Sequence, residues 1–203
     1  MHFPMMAFPV LGFTGQQIPG GYSWTLTSAF GELLQIAEQR YGPRDRSWTP
    51  IGIEFHGDRP MVWYPSPHDG RQQISIILSN NARLNIASAL YELAHEVIHV
   101  LAPTGARNAP VIEEGLATKF ALEVSRHNPP AAVLPPNSPY APALEAVELL
   151  LAHDADAIRQ IRLREPSFRS LTAEIILAAF PNFDGDVARQ LCSPWEDAVA
   201  PAA

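Results

Sequence analysis

The spacing of apolar residues changes near residue 81, and this change constrains the fold more than any other feature of the sequence. Between residues 51 and 79, the runs IGIEF, MVWY and QISIILS have the alternation or the β-branched content that is typical of strands. Helical spacing then connects Leu84, Ala87, Leu90, Leu93, Ala94, Val97, Ile98 and Leu101. The sequence therefore predicts an α+β fold, with a small mixed or antiparallel N-terminal sheet and a mostly helical C-terminal half.

Individual elements follow from the same patterns. A first helix is predicted for SAFGELLQIAEQRYG, ending near Gly42 and capped by Thr27 or Ser28. Asn80 or Asn81 is the predicted cap of the central helix, and later helices are predicted at about 111–126, 138–153, 155–163, 167–180 and 184–192. Turns are predicted at 57–58 and 68–70. We expect one domain over 1–192, with its sheet part at about 1–80, its helical part at about 81–192, and a flexible tail at 193–203.

Composition and charge exclude several classes of protein. The chain has 203 residues, a net charge of −7 and no run of Lys or Arg, which argues against nucleic-acid or membrane partners. A lone cysteine, Cys192, excludes an internal disulfide and a cysteine-based zinc cluster. The apolar N-terminus has no basic residue before Arg40 and is interrupted by Pro4 and Pro9, unlike a signal peptide. No apolar run approaches the roughly 20 residues of a membrane helix, so a cytoplasmic protein is expected.

The predicted central helix contains an H-E-x-x-H pattern at residues 95–99. His95 and His99 are four residues apart, so both imidazoles lie on one face of the helix and can reach one zinc ion. Glu96 is about 100° further round the helix, where it can take a proton from a metal-bound water instead of binding the metal. The alternative interpretation is a solvated helix face that binds nothing.

A catalytic zinc ion takes three protein ligands, and the third must come from elsewhere in the chain. Downstream of His99 the segment PVIEEGLATKFALEVSR starts a helix at Pro110 with two glutamates in its first turn. The small residues that follow would let this helix approach its neighbour closely. A return of the chain can bring either glutamate, Glu113 or Glu114, opposite the two histidines.

The segments HEVIH and EEGLATKFA together resemble the gluzincin zinc metallopeptidases, including minimal domains of the peptidase MA type. In that family the H-E-x-x-H helix is followed by a helix that begins with a ligand glutamate, often as E-G-x-A, and this pattern matches Glu114. The resemblance implies a zincin-like fold, a zinc cofactor and a peptide or protein substrate. It further implies that Tyr140, which opens a later helix, donates to the oxyanion of the reaction. His127 is a weaker candidate for the same role.

Three further expectations remain. Thr118, one turn after Glu114, would either orient a ligand or lie on the surface. The strand QISIILS would be a sheet edge that pairs with the substrate backbone. The function implied is zinc-dependent peptide hydrolysis with Glu96 as general base. The alternatives are a regulatory protease acting on one partner, since E-G-L-A-T-K-F-A is also similar to the ImmA/IrrE family, and a zincin-like domain that only binds.

Overall fold

The computed structural model describes residues 14, 17–65, 71–105 and 109–195. The described elements are β1 (Gln17–Ile18), β2 (Gly21–Tyr22), α1 (Leu26–Tyr41), β3 (Trp48–Phe55), β4 (Met61–Trp63), β5 (Gln72–Leu78), α2 (Ile86–His99), α3 (Val111–Arg126), α4 (Ala141–His153), α5 (Ala157–Arg164), α6 (Ala173–Ala179) and α7 (Gly185–Cys192). Strands precede α2 and helices follow it, so the predicted α+β fold class is confirmed. The N-terminal segment 1–13 and the turn predicted at 68–70 lie outside the described residues.

Strand β5 is the centre of a three-stranded mixed sheet. It runs parallel to β3 and antiparallel to β4, and residues 74–78 are buried. The prediction that β5 would be an edge open to a peptide backbone is therefore wrong, because both of its sides are already hydrogen-bonded. Among the described strands, the short β4 pairs with β5 alone and forms one edge of this sheet.

Helices α1 and α2 begin at different caps from those predicted. Thr25 caps α1 in a capping box, in which its hydroxyl accepts from Ser28 N at 3.2 Å and the Ser28 hydroxyl accepts from Thr25 N at 2.7 Å. Asn85, rather than Asn80 or Asn81, caps α2 and accepts from Ala87 N at 2.9 Å. The reason is a short 3-10 turn over Ala82–Leu84, which leaves the Leu84 side chain outside the apolar stripe and 90% exposed.

Helix α3 packs between α2 and α4 and crosses α4 at a small residue. A Cβ atom placed on Gly115 would lie 2.2 Å from Ala143 O and 2.8 Å from the Val147 side chain. This contact explains the glycine after the glutamate pair, since any side chain would separate the two helices. The predicted small-residue approach between helices is thus present. It sets the position of the first turn of α3 in the fold.

The C-terminal helices lie close to their predicted positions, except that one predicted helix is divided into two shorter elements. The helix predicted at 167–180 is a 3-10 turn, Phe168–Ser170, followed by α6, which Thr172 caps. Beyond α7, Pro194 forms an antiparallel bridge with Pro110, and Trp195 N donates to Ala109 O at 3.0 Å. The first residues of the expected tail therefore lie against the start of α3, while 196–203 are outside the described residues. None of the described helices is both long and apolar enough to span a membrane.

Candidate metal centre

Helix α2 carries both histidines of the candidate site in its last turns. One side of this helix packs in the core through Leu90, Leu93 and Val97. His95 is 9% exposed and Glu96 is 3% exposed, and both line a cleft of about 410 Å³ together with His99. The imidazole centroids of His95 and His99 are 5.2 Å apart, as expected for residues one turn apart on one face.

Glu114 completes the group from the first turn of α3. Its Oε2 atom lies 3.3 Å from His95 Nε2, and its Oε1 atom lies 3.8 Å from His99 Nε2. The three ligand atoms all lie within 4.8 Å of one another, so His95, His99 and Glu114 could hold a metal ion. The predicted juxtaposition of these three residues is thereby observed.

Glu113 occupies a different position from its neighbour. Its Oε1 atom lies 2.8 Å from His99 Nδ1, on the side of the imidazole ring that faces away from Glu114. A carboxylate on Nδ1 fixes the ring orientation and leaves Nε2 as the nitrogen available to a metal. The two glutamates thus divide two roles that the sequence left open, with Glu114 in the ligand group and Glu113 orienting His99.

The electrostatics of the metal-free group favour a cation. Burial alone would lower the pKa of His99, but the Glu114 carboxylate and the hydrogen bond to Glu113 raise it to about 10. Burial also raises the pKa of Glu113 beyond the opposing effect of His99. Burial opposes ionisation of Glu114 too, yet His99 and His95 outweigh it and lower the pKa of Glu114. In the absence of a metal ion, protons on these side chains hold the group together. A bound metal ion would take the place of those protons.

The chemistry of the donors fits a divalent ion. Two imidazole nitrogens and one carboxylate oxygen form a set that zinc accepts readily. Three carboxylates, those of Glu96, Glu113 and Glu114, surround two imidazoles that are neutral when they bind metal. In the absence of a cation, protons offset this negative charge, chiefly the proton on His99, and a divalent ion would offset it in their place.

Glu96 faces the same cleft without belonging to the ligand group. Burial raises its pKa, against the opposing effects of His99 and His95. A carboxylate with a raised pKa is a stronger base, which suits transfer of a proton from a water molecule and back to a leaving group. The geometry is therefore compatible with the predicted role of general base.

Tyr140 lies against His95. Its ring meets the His95 ring edge-on, with centroids 5.7 Å apart, and its other side stacks on Trp195 at 5.0 Å. Burial and the carboxylates of Glu114 and Glu96 raise the pKa of Tyr140 to about 12, so the phenol stays protonated and can donate a hydrogen bond. Trp195 was not expected at the site, because the chain from residue 193 was predicted to be a tail.

The opposite wall of the cleft comes from strand β4 and its flanks. Met61, Val62 and Tyr64 line it, and the exposed Arg59 stands at its start. Arg59 and Tyr64 were missed because no spacing rule connects this short edge strand to the histidine pair. The turn signal at 57–58 was the only local hint that the chain reverses beside the site.

Other predicted residues lie elsewhere. His127 is exposed, and its Nδ1 lies 2.9 Å from Glu123 O of its own helix, outside the lining of the cleft. The Thr118 hydroxyl is buried with no hydrogen-bond partner, so it does not orient Glu114.

Comparison of the chain with protein-family models, curated proteins and solved structures found no match. The geometry of the site and the chemistry of its residues therefore carry the functional assignment that follows.

Proposed function

We propose that this protein is a zinc-dependent peptidase of the gluzincin type, with zinc held by His95, His99 and Glu114. The observation that carries the proposal is the close group of these three side chains together with the Glu113 carboxylate on His99 Nδ1. On a solvated helix face, nothing would require a buried carboxylate at Nδ1 of a histidine. In metal-binding histidines, the ring nitrogen that does not bind the metal almost always has such a partner.

A bound zinc ion would supply Lewis acidity, which polarises the substrate carbonyl and makes the attacking water more acidic. The remaining chemistry belongs to the chain. The Glu96 carboxylate accepts a proton from the attacking water as its oxygen forms a bond to the carbonyl carbon. The same group then returns this proton to the nitrogen of the leaving amine as the C–N bond breaks.

Tyr140 and strand β4 would assist this reaction in different ways. The protonated phenol of Tyr140, next to His95, is suited to donate a hydrogen bond to the oxygen that develops negative charge. The edge of β4 offers backbone groups to an extended peptide, which would bind with little dependence on sequence.

Metal content and one substitution test the proposal together. The purified full-length chain should contain stoichiometric zinc by mass spectrometry, and His95→Ala should lose it, while His56→Ala, an exposed histidine outside the cleft, should keep it. Glu96→Gln should retain zinc but hydrolyse an unbiased peptide library about a hundredfold more slowly, or worse. Wild-type protein without stoichiometric zinc would overturn the metal assignment. Full activity in Glu96→Gln would overturn the mechanism.

A further inference from the structure

A second cavity of about 460 Å³ adjoins the metal cleft on the side toward the start of α2. The two share Pro60, His95 and Tyr140 in their walls. We call this second cavity the α2 pocket. It is large enough for any amino-acid side chain, and a peptide in the cleft would pass its mouth at the histidine and tyrosine that separate the two spaces.

The polar wall of the α2 pocket continues the stripe of α2 that bears the metal ligands. Ser88, Glu92 and His95 follow one another at helical spacing along this stripe, with Tyr91 beside them. The Glu92 carboxylate is fixed in place, because Oε2 accepts from Ser79 N at 2.8 Å and Oε1 accepts from Ser79 Oγ at 2.6 Å. Each of its oxygens keeps a lone pair for a further donor.

Hydroxyl groups without partners stand near this carboxylate. Thr118, which is 1% exposed and lines the pocket, has a hydroxyl oxygen with no hydrogen-bond partner. Within the part of the chain that the structure describes, the side-chain hydroxyls of Ser88 and Tyr91 also make no hydrogen bond. The buried Thr118 hydroxyl costs free energy without a partner, and hydroxyl oxygens such as these can accept from a ligand that carries N–H groups.

The described lining of the α2 pocket contains an anionic side chain without a cationic one to balance it. Among the described residues that line the α2 pocket, Glu92 is the charged side chain apart from the histidine, and neither Lys nor Arg is present. Arg59 instead lines the metal cleft. The remaining wall is apolar and comes from Ala87 and residues 130–132, where Ala132 N is held by the Ser125 hydroxyl at 3.1 Å. An apolar stem with a cationic end group suits such a wall.

We propose that the α2 pocket receives a lysine or arginine side chain of the peptide substrate, with Glu92 as the acceptor of its charge. This inference rests on the proposed peptidase function, since it names the substrate class of the same site. Ser88, Tyr91 and Thr118 add hydroxyl acceptors for the remaining N–H groups, which a lysine ammonium or an arginine guanidinium carries in excess. A substrate residue with an acidic side chain is repelled by Glu92.

The test measures binding separately from hydrolysis. Blocked peptides of the form acetyl-Ala-Ala-X-Ala-Ala-amide, with Arg, Lys, Gln, Met or Glu at X, are titrated calorimetrically into purified full-length Glu96→Gln protein. Arg and Lys peptides should bind at least about fivefold more tightly than the Gln peptide. Adding Glu92→Gln should remove this preference, and adding Thr118→Val should reduce it. Adding Glu54→Gln, which removes an exposed glutamate from β3, should leave it intact.

The same peptides are incubated with the wild-type protein, and the products are identified by mass spectrometry. Cleavage next to the basic residue supports both proposals. Equal binding of all five peptides, or a preference that survives Glu92→Gln, overturns the assignment of the pocket even where hydrolysis occurs. A preference that depends on Glu92 without hydrolysis of any peptide supports the pocket and counts against the peptidase function.

Discussion

The Nδ1 atom of His99 lies 2.8 Å from Oε1 of Glu113, while its Nε2 atom lies on the side of Glu114. One imidazole therefore connects two adjacent glutamates of α3, and each uses a different ring nitrogen. This arrangement requires α2 and α3 to be held in a fixed register, because a shift of either helix would break both contacts.

Glu113→Gln should weaken zinc binding about 10–100-fold without removing a metal ligand. The amide has a similar size, but it lacks the negative charge that makes His99 a stronger ligand and fixes its tautomer. Competition with a chelator of known affinity gives the dissociation constant. Glu148→Gln, which changes a half-exposed glutamate on α4, serves as the matched control. Unchanged zinc affinity in Glu113→Gln would mean that Glu113 has no part in the metal centre.

Zinc should stabilise the protein more at high pH than at low pH. The pKa of His99 is raised in the metal-free fold to about 10, so its contribution to stability is complete below about pH 6.5 and is lost as pH rises through the folded pKa. The raised pKa values of Glu96 and Glu113 act in the same direction, since the unfolded chain ionises these groups first. The lowered pKa of Glu114 acts oppositely and at acid pH.

A bound divalent ion replaces the proton on His99, so the loss should be largely absent in the zinc form. The difference in melting temperature between zinc-loaded and chelator-treated protein should therefore grow from pH 6 to pH 8.5. Each proton released on metal binding corresponds to about 1.4 kcal/mol per pH unit. Differential scanning fluorimetry across a pH series measures this. A difference that does not change with pH, or falls, would contradict the assignment of His99 as a ligand.

Gly115→Ala should destabilise the fold by about 3 kcal/mol or more, because the added methyl group meets the backbone of Ala143 and not a flexible side chain. Since Glu114 is the preceding residue, zinc affinity should fall as well. Gly31→Ala in α1 is the control: nothing lies within 4 Å of the added Cβ, and this exposed helical position should gain about 0.5–1 kcal/mol. Urea denaturation of both variants gives the two free energies of unfolding. Equal stabilisation of both would show that α3 and α4 can separate without cost.

Local patterns located most of the elements and the two histidines of the ligand group. Four-residue spacing placed His95 and His99 on one face. The glutamate pair identified the helix that supplies the third ligand, and the resemblance to the gluzincins favoured Glu114. Sheet order was not accessible in this way, because β5 reads as a strand in either an edge or a central position. The predicted caps of α1 and α2 were wrong because Thr25 and Asn85 lie close to other residues that cap helices equally well. Only the backbone geometry distinguishes these candidates.

Non-local contacts account for the parts of the site that the sequence did not reveal. Arg59 and Trp195 line one cleft although they lie far apart in the sequence. No spacing in the sequence connects such residues, since the fold alone brings the edge of β4 and the end of α7 together. The division of roles between Glu113 and Glu114 likewise depends on the rotation of α3, which a Glu-Glu pair does not specify.

The buried guanidinium of Arg162 holds the chain around the end of α2, and a substitution at this residue should destabilise the fold. It donates to the backbone carbonyl oxygens of Tyr41, Gly42, Pro43, Leu101 and Pro166, and it stacks over Phe168 at 5.1 Å. Burial lowers its pKa to about 10, partly offset by Glu113 and Glu38. Arg162→Met keeps an unbranched apolar side chain but leaves these carbonyl groups without a donor. The free energy of unfolding should fall by at least about 3 kcal/mol.

Arg164→Met, at an exposed position on the same helix, is the matched control and should change the free energy of unfolding by less than about 0.5 kcal/mol. Because Leu101 follows His99 by two residues, loss of the Arg162 contact should also release zinc at a lower urea concentration than in Arg164→Met. Unfolding followed by circular dichroism, with zinc release followed by a chromogenic chelator, measures both effects. Equal losses of stability in the two variants would show that the carbonyl groups find other donors, and that α5 does not support the metal centre.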